Sequence, residues 1–75
     1  MNKERRKKIS EIISSLNEIY RRLESVKNDE EYAFDSMPEG LQYSMRGEES
    51  QEAIDSLDQS IDHIEEAISA LEEII

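Results

Sequence analysis

AIDSLDQ, SIDHIEE and AISALEE, residues 53–59, 60–66 and 67–73, are three passes through one seven-residue pattern, and Ile74 and Ile75 follow them. The pattern places Ile54, Leu57, Ile61, Ile64, Ile68, Leu71 and Ile75 at alternating spacings of three and four. Residues so spaced share one face of a helix, and no Gly or Pro interrupts the run. Small residues, Ala53, Ser60 and Ala67, lie beside this seam, and carboxylates fill most of the remaining positions. The pattern predicts a long helix over residues 48–75.

Working back toward the start, Ile9, Ile12, Leu16, Ile19, Leu23 and Val26 repeat the same spacing and predict a second helix over residues 5–34. Ile13, Tyr20 and Phe34 fall at a position flanking that seam, so the apolar stripe is wider than a two-stranded coiled coil uses. A stripe of that width serves two neighbours at once.

Between the helices lies a connector, residues 35–47, within DSMPEGLQYSMRGEE (35–49), which holds the only Pro and both Gly of the chain. Ser36 or Met37 precedes a short helical turn with Pro38 near its first position, and Gly47 is expected to mark a break before the C-terminal helix. Two helices of nearly equal length joined in this way predict an all-α antiparallel helical hairpin, one domain spanning residues 1–75. A hairpin alone leaves half of each broad stripe wet. Pairing two hairpins into a four-helix bundle covers it, with Ile12, Leu16, Ile19, Leu23, Ile54, Leu57, Ile61, Ile64, Ile68 and Leu71 as the expected oligomer core.

A chain of 75 residues buries a smaller fraction of its surface than a larger domain. It has no cysteine and no Cys/His cluster to staple it, so helix packing must supply its stability. The lack of cysteine fits a reducing compartment, and no apolar run approaches the roughly 20 residues of a membrane span. The expectation is a cytoplasmic protein with no membrane partner. Charge is divided unevenly: residues 1–27 carry eight Lys/Arg against four Glu, and residues 28–75 carry fifteen carboxylates against Arg46 alone. These give +4 and −14 within the net −10. Such asymmetry describes a basic arm and an acidic body.

Nineteen carboxylates and one His invite comparison with the di-iron sites of helix bundles, which use inward Glu residues and Glu-x-x-His motifs. No Glu-x-x-His occurs, the C-terminal seam is entirely Ile and Leu, and His63 falls on the outer face. Neither a metal nor any other cofactor is expected. The serines lack a nearby His and acid in a nucleophilic arrangement, and there is no phosphate loop or EF-hand loop, so the chain is read as no enzyme. KERRKK near the start has the chemistry to meet phosphates, but the acidic body repels polyanions, and direct nucleic-acid binding is not expected. The carboxylates of residues 48–73 are either a solvated outer face or an imitation of a nucleic-acid backbone that occupies a partner's basic groove.

The connector concentrates Tyr32, Phe34, Met37, Tyr43, Met45 and Arg46 within fifteen positions. An arginine at a helix start, with aromatics nearby, suits phosphate and base recognition, and Tyr32, Phe34, Tyr43 and Arg46 are the candidate binding residues. The other reading of these residues is that they cap the end of the bundle.

Residues 30–74, EEYAFDSMPEGLQYSMRGEESQEAIDSLDQSIDHIEEAISALEEI, resemble short proteins of phages and integrative elements of Gram-positive and gut bacteria, in which an acidic helix follows a connector of the form FDxMPEGLQxSxRGE. The resemblance implies a mobile-element origin and a helical hairpin, and assigns no activity or site residue. By analogy with other small phage proteins, it points to an antagonist of host antiviral defence that binds a host protein or sequesters a nucleotide signal. A structural or assembly coiled coil with no ligand is the alternative.

Overall fold

In the computed structural model, which describes residues 1–75, three helices follow one another: α1 (Lys3–Asp35), α2 (Glu39–Gln42) and α3 (Met45–Glu72). α1 and α3 lie antiparallel along each other in a rod of 58 × 14 × 12 Å, closed at one end by α2. This is the helical hairpin expected from the two seams.

Three features differ from the periodic reading, each for a physical reason. α1 begins at Lys3 because the Asn2 side chain accepts from the Arg5 backbone N–H at 2.9 Å, satisfying one of the unpaired donors of the first turn. It ends beyond residue 34, where Ser36 N–H donates to Tyr32 O at 3.0 Å and Met37 N–H to Phe34 O at 3.1 Å. Pro38 then disfavours a helical Met37 and offers no N–H of its own. Its carbonyl accepts from Leu41 and Gln42 at 2.8 and 3.2 Å, which forms the single turn α2.

The second difference concerns Gly47. It is no break: it lies buried inside the first turn of α3, which starts at Met45 from an extended Ser44. Its reason is space. A Cβ on Gly47 would stand 2.1 Å from Gln42 O and 2.6 Å from Leu41 O, so only a glycine lets α3 approach the carbonyl end of α2 this closely. At its other end α3 stops at Glu72, where Ile74 N–H closes a last turn on Leu71 O at 3.0 Å, leaving residues 73–75 outside the helix.

The third difference is the register of α1. Ile13, expected at the flank, is its most deeply covered side chain at 8 % exposure, and it packs opposite a seam made by Ile54, Ile61 and Ile68 of α3. Residues seven apart from Ile13, namely Tyr20, Lys27 and Phe34, are half-buried on the same line, as are Leu16 and Leu23. By contrast Ile12, Ile19 and Val26 remain 50, 41 and 53 % exposed. The broad stripe is therefore shared: one edge is covered by α3 and the other faces outward. With Ile13, Ile54, Ile61 and Ile68 the only buried apolar side chains, and none exposed by less than 2 %, the interior of one hairpin is thin.

Candidate functional site

The surface falls into two regions: the long sides of the rod, and its connector end. The two sides differ because α1 and α3 carry different residues at either margin of their contact. Along one side Tyr20 donates to Glu65 at 3.0 Å and Lys27 sits 2.5 Å from Asp58 while also reaching Glu31 at 3.5 Å. The hydrogen bond to Glu65 raises the Tyr20 hydroxyl above its ordinary pKa, because ionising it would lose that bond and set phenolate against carboxylate. Lys27 is raised for the matching reason, the bond to Asp58 holding its charged form. This side opens into a groove of about 900 Å³ lined by Asn17, Tyr20, Asp62, Glu65 and Glu66, with Ile68 at its floor. It is wet and acidic.

The opposite side is apolar. Ile12, Ile19 and Val26 stand exposed on α1 beside half-buried Leu16 and Leu23, and Leu57, Ile64 and Leu71 of α3 are half-buried next to the small row Ala53, Ser60 and Ala67. Spacings of three and four join these residues into one face on each helix, and both faces lie on the side away from the Tyr20–Glu65 and Lys27–Asp58 contacts. Of the expected oligomer core, Ile54, Ile61 and Ile68 are thus sealed within the hairpin, and Ile12, Leu16, Ile19, Leu23, Leu57, Ile64 and Leu71 contribute to this open face. Toward the connector it ends in a polar pair, Ser50 donating to Glu30 at 2.6 Å.

At the connector end the four candidate binding residues come from three helices: Tyr32 and Phe34 from the last turns of α1, Tyr43 from the end of α2, and Arg46 from the first turn of α3. Tyr32 and Tyr43 are 77 and 80 % exposed, and neighbouring Met45 is 75 % exposed. Arg46 is exposed, and no carboxylate comes within 4.0 Å of its guanidinium. Phe34 is half-buried and lines a shallow cleft of about 240 Å³ with Glu31, Asp35, Gln51 and Ile54. That cleft includes neither tyrosine nor Arg46. Two helical positions are roughly 200° of rotation, so Tyr32 and Phe34 face opposite ways. The end is thus an exposed cap carrying aromatics, a methionine and one cation. Gln42 fixes it, its side-chain Nε2 donating to Phe34 O at 3.1 Å, and Ser44 Oγ donates to Leu41 O.

Sequence reasoning missed Lys27, Glu30 and Ser50, the polar residues that join the two helices near the connector. The signal was present in their spacing, since Lys27 continues the line of Ile13 and Tyr20, and Glu30 continues that of Leu16 and Leu23. His63 lies on the outer face as expected, 74 % exposed, its Nδ1 3.8 Å from Glu66. No helix is long and apolar enough to cross a membrane, and no three His, Asp or Glu residues converge on a common point. Compared with known protein families, with characterised proteins and with solved structures, the chain matches none.

Proposed function

We propose that this protein is a non-enzymatic binding module that pairs two hairpins through their apolar sides into a four-helix bundle and offers its connector end to a protein partner. The observation that carries the reading is the exposed row Ile12, Ile19 and Val26, which runs beside half-buried leucines along much of the rod. Complete burial of such a side chain is worth about 1.5–3 kcal/mol, so covering the exposed half of each contributes on the order of 1 kcal/mol, doubled by two-fold symmetry. A second hairpin is the neighbour of matching length and chemistry. The thin interior of one hairpin supports the same reading, because small scaffolds without disulfide or metal gain their stability by association.

The partner follows from the connector end. Tyrosine, methionine and arginine are enriched in protein interfaces, and here they are exposed on a convex cap instead of lining a cavity. That supports recognition of a protein surface over enclosure of a nucleotide. In the mobile-element setting that the FDxMPEGLQxSxRGE-like connector implies, the partner is a host defence protein which the module blocks.

The substitution Ile19→Glu tests the association. Ile19 is 41 % exposed in the hairpin, so a glutamate there has room and water within one chain but is trapped at a hairpin–hairpin contact. Light scattering is expected to show a two-chain mass for the wild type and a one-chain mass for the variant, with the helical circular dichroism of the hairpin largely kept. A variant that keeps the wild-type mass removes the apolar side from the account.

A further inference from the structure

The apolar side also contains information on how a second copy lies upon it. The Tyr20–Glu65 and Lys27–Asp58 contacts fix the heights of α1 and α3 relative to each other. Carried one residue along α1 and two along α3, they set Ile19 near the height of Ala67 and Val26 near that of Ser60. At each of these heights, one margin of the apolar side presents a large β-branched residue from α1 and the other a small residue from α3.

Two symmetric ways of facing two such sides exist. A two-fold axis across the rods lays α1 on the partner's α1 and α3 on the partner's α3, with the connectors at opposite ends. Large residues then meet large and small meet small, so one half of the bundle is forced apart while the other leaves space. A two-fold axis along the rods lays α1 on the partner's α3, and Ile19 and Val26 meet Ala67 and Ser60 at matching heights, while Ile12 lies level with Ile74. Helix spacing is set by the residues at the contact, and protein interiors tolerate neither voids nor overpacking, so the second arrangement fits both halves at once.

Resting on the self-association argued above, we propose that the two hairpins dock with their rods parallel, α1 of each against α3 of its partner, so that both connector ends meet and form one composite binding surface. Charge enters in both directions. Residues 28–55 hold nine carboxylates against Arg46, and these are crowded by the arrangement. In return Lys8, the end of the basic arm, stands roughly 7 Å along the rod from Glu73 of the facing chain, while residues 3–7 extend farther past it. Most of these groups are exposed, Glu30 and Glu31 being half-buried, and such interactions are weak and screened by salt, whereas the fit of the apolar rows is not. In the joined cap, two copies each of Tyr32, Tyr43, Met45 and Arg46 sit at one end of a four-helix rod. A partner with its own two-fold symmetry, or one long enough to cross both caps, engages the pair and not the single chain.

The chain has no cysteine, so Ser36→Cys, at an exposed position whose hydroxyl makes no hydrogen bond, carries a single nitroxide label. Dipolar electron paramagnetic resonance on the labelled protein, with light scattering on the same sample, separates the outcomes. Rods docked in parallel place the two labels roughly 20–30 Å apart, within the width of a four-helix bundle. A two-chain mass with labels roughly 50 Å apart, about twice the helical rise from residue 19 to residue 36, overturns the parallel docking and leaves self-association standing. A one-chain mass with no dipolar coupling overturns both.

Discussion

Replacing Gly47 by alanine sets two physical effects against each other. Intrinsic helix preference favours alanine over glycine by up to about 1 kcal/mol inside a helix, and less near its first turn, where Gly47 lies. Against this, the new methyl would stand 2.1 Å from Gln42 O and 2.6 Å from Leu41 O. Ordinary C···O contacts are about 3.3–3.6 Å, so the α2–α3 corner must open by roughly 1 Å. The atoms in the way are backbone carbonyls held in a helical turn, which cannot swing aside as the tip of a long side chain can. Such overpacking typically costs 1–3 kcal/mol, and opening the corner also strains the 3.1 Å bond from Gln42 to Phe34 O, itself worth about 0.5–1.5 kcal/mol. The clash therefore wins, by about 1–2 kcal/mol. For a chain of this size that lowers Tm by roughly 5–15 °C, read by circular dichroism at matched protein concentration. Gly40→Ala is the internal control, since nothing lies within 4 Å of its Cβ position, and it is expected to melt at or slightly above the wild type. A Gly47→Ala protein as stable as the wild type would refute the close-approach argument.

Ile64→Asp and His63→Ala test the register of α3 at adjacent positions: the first sets an unpaired charge in the apolar side and is expected to cost roughly 2 kcal/mol or more, the second to stay within about 0.5 kcal/mol. Equal shifts in melting temperature would mean that the faces are misassigned. Tyr20 and Lys27 both have folded-state pKa values raised above their ordinary 10.0 and 10.5, so the folded state favours their protonated forms. Their contribution is present below those ordinary values and is lost as pH rises through the raised ones. Melting temperature should therefore fall in alkaline solution, and less steeply in a Tyr20→Phe, Lys27→Met protein; an unchanged slope would show that these contacts add nothing. Arg46→Glu combined with Tyr43→Ala should leave helix content and mass unchanged while abolishing retention of a cross-linked host partner, and undiminished retention would make the connector end purely structural.

Much of the hairpin is written in local spacing. Ile54 through Leu71 allow one helical face, and the Pro38–Gly40 segment forces the chain to turn, so both helices and their antiparallel sense are legible. What local spacing does not carry is which margin of an apolar stripe meets which neighbour. Ile12 and Ile13 are the same residue type one position apart, and only packing against Ile54, Ile61 and Ile68 decides that Ile13 turns inward and Ile12 outward. Gly47 misleads for a related reason. Its reputation as a helix breaker is a local property, whereas its place here is set by the carbonyl of Gln42, which the fold brings to it. The exposure of Tyr32 and Tyr43 is likewise a matter of rotation about α1 and of where α2 ends, and composition alone drew them into one site with Phe34.

Sedimentation equilibrium of the unmodified protein across a range of micromolar concentrations tests the central claim most directly. A two-chain mass that gives way to single chains only on dilution, with helicity falling alongside, is the predicted result. A single-chain mass throughout, from a protein that nonetheless unfolds cooperatively, would contradict it.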